Sequence, residues 1–255
     1  MSDKYDLIYS VGADCGCSMY MLRNKLRSTS GPFDWLTHAN FETRMKLILR
    51  RFEHFLEIED LKFLPKDPKM FNDEFCDYYE NTANGFYYFH DFPKDIPLDE
   101  SFPEVKEKYA RRCNRFLNNL DSEQKILLLW FSRNGIDITD TDIELCSQIH
   151  REFNSHPDFL LIEHDAAKTN GEKEISHPQP FITKIRLKTQ GFDKNGNELT
   201  MGDIKNCMPV FRKLKCKGQF KRKFQSTVKK AFVKAICLFV PYRPWRKKIK
   251  KRFNV

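Results

Sequence analysis

The chain has 255 residues, of which 40% are hydrophobic and 14% aromatic, enough for one substantial core and too apolar for a disordered protein. Its net charge of +9 is unevenly placed: from Phe211 onward there are 17 of the 44 Lys and Arg and none of the 35 Asp and Glu, so the first 210 residues carry a net −8. An acidic body excludes general nucleic-acid binding by the globular part and assigns the basic partner-seeking charge to the tail.

Eight cysteines are scattered along the chain and the closest two, Cys15 and Cys17, are spaced C-x-C. That spacing excludes a zinc-type pair of pairs, and neither a metal nor another cofactor is expected. Scattered thiols behind an N-terminus without a signal-peptide pattern indicate a reducing, cytoplasmic setting.

In chain order, residues 6–11 read as a buried strand, followed by a glycine turn at Gly12 and a helix over roughly 17–27. Gly31 and Pro32 mark a loop that ends at Asp34 and Trp35. Phe41, Met45, Ile48, Phe52 and Phe55 recur at helical spacing, predicting an amphipathic helix over 41–55. Residues 85–90 read as a short strand that ends at His90, and Pro93, Pro97 and Pro103 are expected to break the connection after it. A helix over 105–120 carries Arg111, Arg112 and Arg115 within about one turn.

Residues 125–131 and 159–163 are continuous apolar runs of the kind buried on both faces, and a helix over 142–153 lies between them. Strand, helix, strand at this spacing is a βαβ unit with parallel pairing. Residues 181–188 alternate apolar and basic and are expected at a sheet edge, with a turn at 191–196. The expected fold class is therefore α/β: a mainly parallel sheet flanked by helices, with a basic amphipathic tail. The expected domains are 1–205 for the body and 206–255 for the tail.

Cys15 stands where strand, glycine turn and helix meet. Unpartnered N–H groups at a helix start lower a cysteine pKa and favour the thiolate, which attacks carbonyls. Two other readings stay open: the same turn can cradle a phosphate, or Cys15 can simply pack. Ligands of open parallel sheets gather at the strands' carboxyl ends, and Cys15, Arg133 and the pair His164/Asp165 all follow expected strands. His90, followed by Asp91, is the preferred base for Cys15, against the alternative that it only caps a sheet edge. Asp140–Thr141–Asp142 resembles a metal–nucleotide D-x-D, but its place before an apolar-periodic helix favours N-capping. The three arginines of 111–115 could grip phosphate or carboxylate, or form a solvated face.

In the tail, residues 228–240 form a basic amphipathic segment too short and too charged to span a bilayer. Tyr242 and Trp245 follow, and then the run Arg246–Arg252. This pattern is what an anionic cytoplasmic leaflet attracts, each cation near it contributing about 1 kcal/mol. The expected partner is that membrane surface, at the inner face of the cytoplasmic membrane; nucleic acid is the weaker rival.

Ser10–Cys15, then Leu22–Arg23, Leu26–Arg27 and Pro32–Phe33–Asp34–Trp35, resemble a bacterial domain of unknown function grouped with papain-like cysteine peptidases. His90–Asp91–Phe92, Lys108–Arg112 with Arg115–Phe116, and the strand at 125–131 resemble its later blocks, so the likeness covers about residues 5–165. The resemblance implies Cys15 as nucleophile, His90 as base, and Asp34 or Asp165 as orienter. It also implies a role near surface-polysaccharide synthesis. Asp14, Trp35, Arg112 and Arg133 are then candidate substrate-binding residues.

The chain departs from the papain pattern in having Tyr9–Ser10–Val11 where a glutamine supplies the oxyanion hole. Gly12–Cys15 can also be compared with the Gly-Asp-Ser block of esterases that act on acylated sugars, with His164 or Asp165 as a late-chain partner. Three functions follow: a cysteine peptidase or acyl-transfer hydrolase; a glycosyl or phosphoryl transferase whose Gly12–Cys15 turn binds phosphate; or a non-catalytic, membrane-docked partner of glycan machinery.

Overall fold

The apolar runs around 126–131 and 158–164 have no side that tolerates water, and in the computed structural model they are the two central strands of a sheet covered on both faces. The structure describes residues 4–66, 75–133, 135 and 138–238. Along the chain these form β1 (Lys4–Tyr5), β2 (Leu7–Ser10), α1 (Cys15–Arg23), β3 (Leu36–Thr37), α2 (Phe41–Leu49), a 3-10 turn (Ile58–Asp60), β4 (Leu61–Leu64), β5 (Cys76–Asn81) and β6 (Tyr87–Pro93). There follow α3 (Leu98–Leu120), β7 (Ile126–Phe131), α4 (Asp140–Glu152), β8 (Asp158–His164), β9 (Lys173–Gln179), β10 (Ile182–Leu187), α5 (Ile204–Lys213), β11 (Lys215–Cys216) and α6 (Gln219–Leu238).

The central sheet has the order β2-β7-β8-β10-β9, parallel throughout except for β9. Side chains alternate across a strand, and β7 shows the result directly. Ile126, Leu128 and Trp130 enter one core with residues of α2, α3 and α4, while Leu127, Leu129 and Phe131 enter the other with residues of α1 and α5. In the second core Tyr20 of α1 stacks on Phe211 of α5 at 4.4 Å between ring centroids.

The expectation of a mainly parallel sheet needs correction. A second sheet, β3-β6-β5-β4, is wholly antiparallel. Its cause is local: β5 and β6 are joined by five residues, with Gly85 at φ +72°, and so short a link can only reverse the chain. His90 lies inside β6, which runs on to Pro93, and does not end the strand as expected.

The segment expected at a sheet edge, β10, is interior, between β8 and β9. Its alternate polar position Lys184 is neutralised by Glu163 of β8, so the basic residue does not need open water. Pro97 and Pro103 do not break the connection either: Pro97 is the N-cap of α3, and Pro103 lies in its second turn. The body's packing continues past residue 205, because Cys207, Val210 and Phe211 of α5 are buried and β11 pairs with β1. Pro241–Trp245 and the basic run 246–252 lie outside the described residues.

Candidate functional site

β2 delivers the chain to the carboxyl end of the parallel sheet, where Val11 N–H donates to Leu129 O (2.9 Å) and Ala13 N–H to Phe131 O (3.3 Å). Between them Gly12 has no room for a side chain: a Cβ there would sit 2.7 Å from Cys17 Cβ and 3.2 Å from the Phe131 nitrogen. The chain then turns into α1, with Asp14 as N-cap and Cys15 as first helical residue. Asp14 Oδ1 accepts from Gly16 N–H at 2.7 Å, and Oδ2 accepts from Arg133 Nε and Nη2 at 2.9 and 2.5 Å.

Arg133, just past β7, also donates through Nη1 to Leu199 O and pairs with Glu198 Oε1, both at 3.0 Å. The 198–202 segment thereby crosses the head of α1. A Cβ on Gly16 would lie 2.5 Å from Thr200 O, Tyr20 OH donates to Met201 O at 2.6 Å, and Gly202, at φ +60°, lies against Thr189 O.

This cover reverses the expected thiol chemistry. Burial, and next the Asp14 carboxylate, push the Cys15 thiol up to about 11; Arg133 and the cysteine's own backbone N–H pull the other way but do not win. Cys15 is therefore a neutral thiol at rest, not the thiolate that a bare helix N-terminus would favour. Burial drives Cys17 higher still, and it is fully enclosed.

Beneath the turn lies Arg44 of α2, fully buried. Its Nη2 donates to Ala13 O (3.1 Å) and Leu36 O (3.4 Å), its Nε to Ala39 O (3.0 Å), and its guanidinium rests over Phe33, Phe86 and Trp130. Arg44 thus ties the turn before Cys15 to the 36–39 loop that leads from β3. In that loop His38 holds φ +74°, strained for a non-glycine residue, and stacks on Tyr87 at 3.8 Å. Burial, with the nearby Arg44 cation, outweighs Glu80 and Asp14 and lowers the His38 pKa, so its ring is neutral at pH 7.

The other expected site residues are distributed as follows. Asp34 is 1% exposed and organises the loop it sits in, accepting from Ser18 Oγ, Arg27 Nη1 and Gly31 N–H. Trp35 takes the Arg27 guanidinium on its ring and meets His90 edge-on at 6.1 Å. Asp165, at the end of β8, accepts from Ala167 N–H and faces Arg186 at 3.7 Å. His164 beside it accepts at Nδ1 from Thr189 and Gln190 N–H.

The arginine cluster serves three separate tasks: Arg111 pairs with Glu107, Arg112 rests on Tyr109, and Arg115 donates to Ser30 O. Asp142 closes a capping box with Thr139 at the start of α4, so the D-x-D is a helix start. The structure thus groups Asp14, Cys15 and Arg133 at the sheet, and Trp35 with His90 at the antiparallel sheet.

Sequence reasoning passed over Glu198, His38 and Arg44. Only Arg44 left a signal, a charge three residues after Phe41 and one before Met45 on an apolar helix face. Among the described residues no cluster of His, Cys, Asp and Glu is arranged to hold a metal.

Cys15 thus stands at the head of a helix, at the carboxyl end of a parallel sheet, with Asp14 and Arg133 beside it. Residues 6–167, more than half of the chain, match the family described as "Putative papain-like cysteine peptidase (DUF1796)", and the chain belongs to that family. A viral protein, "Uncharacterized protein R408" of Acanthamoeba polyphaga mimivirus, is 29% identical over 135 residues, covering 48% of this chain and 60% of the relative. No solved structure matches the chain.

Proposed function

We propose that the protein is a cysteine hydrolase or acyl transferase in which Cys15 Sγ is the nucleophile and a histidine of the antiparallel-sheet region is the base. The observation that carries this reading is the position of Cys15, first residue of α1 at the carboxyl end of β2, against Asp14 and Arg133. His90 is the base that the family resemblance implies; His38, held neutral at pH 7 by burial and within the electrostatic reach of Asp14, is the one favoured by the electrostatics.

In the reaction the thiol proton passes to the imidazole, the Sγ–carbonyl bond forms, and the leaving group takes that proton as its bond to the acyl carbon breaks. Water then cleaves the thioester, releasing the acid and returning the proton to Cys15. With its pKa near 11, only about one thiol in 10⁴ is ionised at pH 7, so proton removal must accompany attack. An acyl group carried on a glycan is the favoured substrate, on the likeness of Gly12–Cys15 to the sugar-esterase block. The stacked His38–Tyr87 pair, with Phe89 beside it, offers a ring platform for a sugar.

Phosphate binding at the same turn is less well supported. Asp14 already occupies the Gly16 N–H, and with Glu198 it places two carboxylates where an anion would sit.

The test is acylation by p-nitrophenyl acetate, followed by peptide mapping and by iodoacetamide labelling across pH. Cys15 should carry the acetyl group, and its alkylation rate should climb through the alkaline range without a plateau near 8.5, the value of an unperturbed thiol. Asp14→Asn removes a charge that raises the pKa and should speed labelling at pH 8, while Arg133→Gln removes one that lowers it and should slow labelling. His38→Ala, if His38 is the base, should cut acylation at pH 7 by about 10²-fold, and His90→Ala should do so in its place if the resemblance holds. Acylation that survives Cys15→Ala would overturn the reading.

A further inference from the structure

α6 leaves the body with an aromatic stripe that no described residue covers. Phe220, Phe224, Val228 and Phe232 are 83%, 62%, 51% and 59% exposed. Spaced four apart, they advance about 40° per step and form one continuous band along the helix. Phe224, Val228 and Phe232, with Gln225 and the Lys229 stem, line one shallow apolar groove.

The opposite side of α6 holds it to the body. Gln219 Nε2 donates to Asn24 O at 2.8 Å, Arg222 Nε to Lys25 O at 2.9 Å, and the half-buried Ser226 and buried Val233 continue that side at helical spacing. The anchoring contacts therefore turn the phenylalanines away from the protein.

Beyond the edges of the stripe lie Lys229 on one flank and Lys223 and Lys230 on the other, and Lys221 falls within it. Lys229 and Lys230 also face Lys25 at the end of α1, where burial and these two like charges lower the Lys25 pKa. From Leu238 to the end the sequence adds seven further Lys and Arg and no acid.

We propose that α6 is an interfacial helix that lays its phenylalanine stripe into an anionic lipid surface, with Lys221 and the flanking lysines on the headgroups. A lipid surface fits better than nucleic acid because the outward face of the helix carries three phenylalanines and a valine, with Lys221 the one cation on it between Gln219 and Val233. No helix among the described residues is long and apolar enough to cross a membrane, so α6 lies along the surface and does not span it. This surface lies apart from the Cys15 chemistry and stands or falls separately.

The test is flotation of the full chain with phosphatidylcholine vesicles, with and without phosphatidylglycerol. The chain should float with the anionic vesicles only and be released by high salt. Phe224→Ser/Phe232→Ser should weaken binding by about tenfold or more, through lost apolar burial, and leave thermal unfolding unchanged because both rings are already in water. The proposal is overturned if the double variant floats as well as the wild type, if neutral vesicles bind equally, or if the chain stays with the soluble fraction. It is equally overturned if the two substitutions abolish DNA retention or self-association in place of lipid binding.

Discussion

Replacing Arg44 by Ala should destabilise the protein by about 3–5 kcal/mol, lowering its Tm by roughly 10 °C for a chain of this size. Arg44 is fully buried, and burial works against its charge. What offsets that cost is the set of carbonyls at Ala13, Leu36 and Ala39 and the ring faces of Phe33, Phe86 and Trp130. Truncation leaves three carbonyls without these donors and opens a cavity between the central sheet and the 36–39 loop. Arg44→Lys should recover little, since an ammonium lacks the fork that reaches all three oxygens.

The loss should also be felt at the site, because Ala13 precedes the Asp14 cap. Cys15 should alkylate faster in Arg44→Ala as the turn loosens. Urea unfolding and labelling of the same samples check both effects. Arg44→Met as stable as the wild type would show that filling the volume is enough and that the carbonyls need no donor.

The second large effect concerns the Glu163–Lys184 pair. Glu163 ends up fully buried in β8, with Oε1 accepting from Ile138 N–H and Oε2 at 3.0 Å from Lys184 Nζ. Lys184 also donates to Ile138 O at 3.0 Å, so the pair fixes both polar atoms of the residue that leads into α4. Lys184→Met removes the counter-charge and strands a carboxylate in the core, a change expected to cost about 3–5 kcal/mol.

Removing the stranded charge as well should relieve that cost. Adding Glu163→Gln should restore most of the loss at pH 8. A double-mutant cycle read by urea unfolding gives the coupling, and a coupling near zero would mean that the two residues act independently.

Much of the fold was legible in the sequence. The apolar runs at 126–131 and 159–163 had to be strands buried on both faces, and the helix between them forced a parallel crossover. Capping chemistry before α4 was readable too, because Thr139 and Asp142 meet through contacts only three residues apart. The antiparallel pairings were less legible: the β5–β6 reversal is marked by Gly85, but β9, the antiparallel edge of the central sheet, is exposed along its whole length and includes Pro178, so no alternation announces it. β10 looked like an edge because its lysine seemed to need water, and Glu163, the residue that supplies the charge instead, is 21 positions away.

The candidate site divides along the same line. The sequence by itself determined that Cys15 starts a helix after a glycine turn, because strand patterning, Gly12 and the Asp14 cap act within a few residues of one another. It also determined that the charge of the C-terminal region is basic and that part of it is carried on an amphipathic segment. Only the tertiary structure decided the state of the thiol, since burial in the folded chain raises it and the charge that opposes this comes from Arg133, 118 positions away. It likewise placed His90 in the second sheet, stacked His38 on Tyr87, and turned the phenylalanines of α6 outward. Capping and periodicity are local interactions and can be read in order along the chain; desolvation and charge pairing depend on which distant segments fold onto one another.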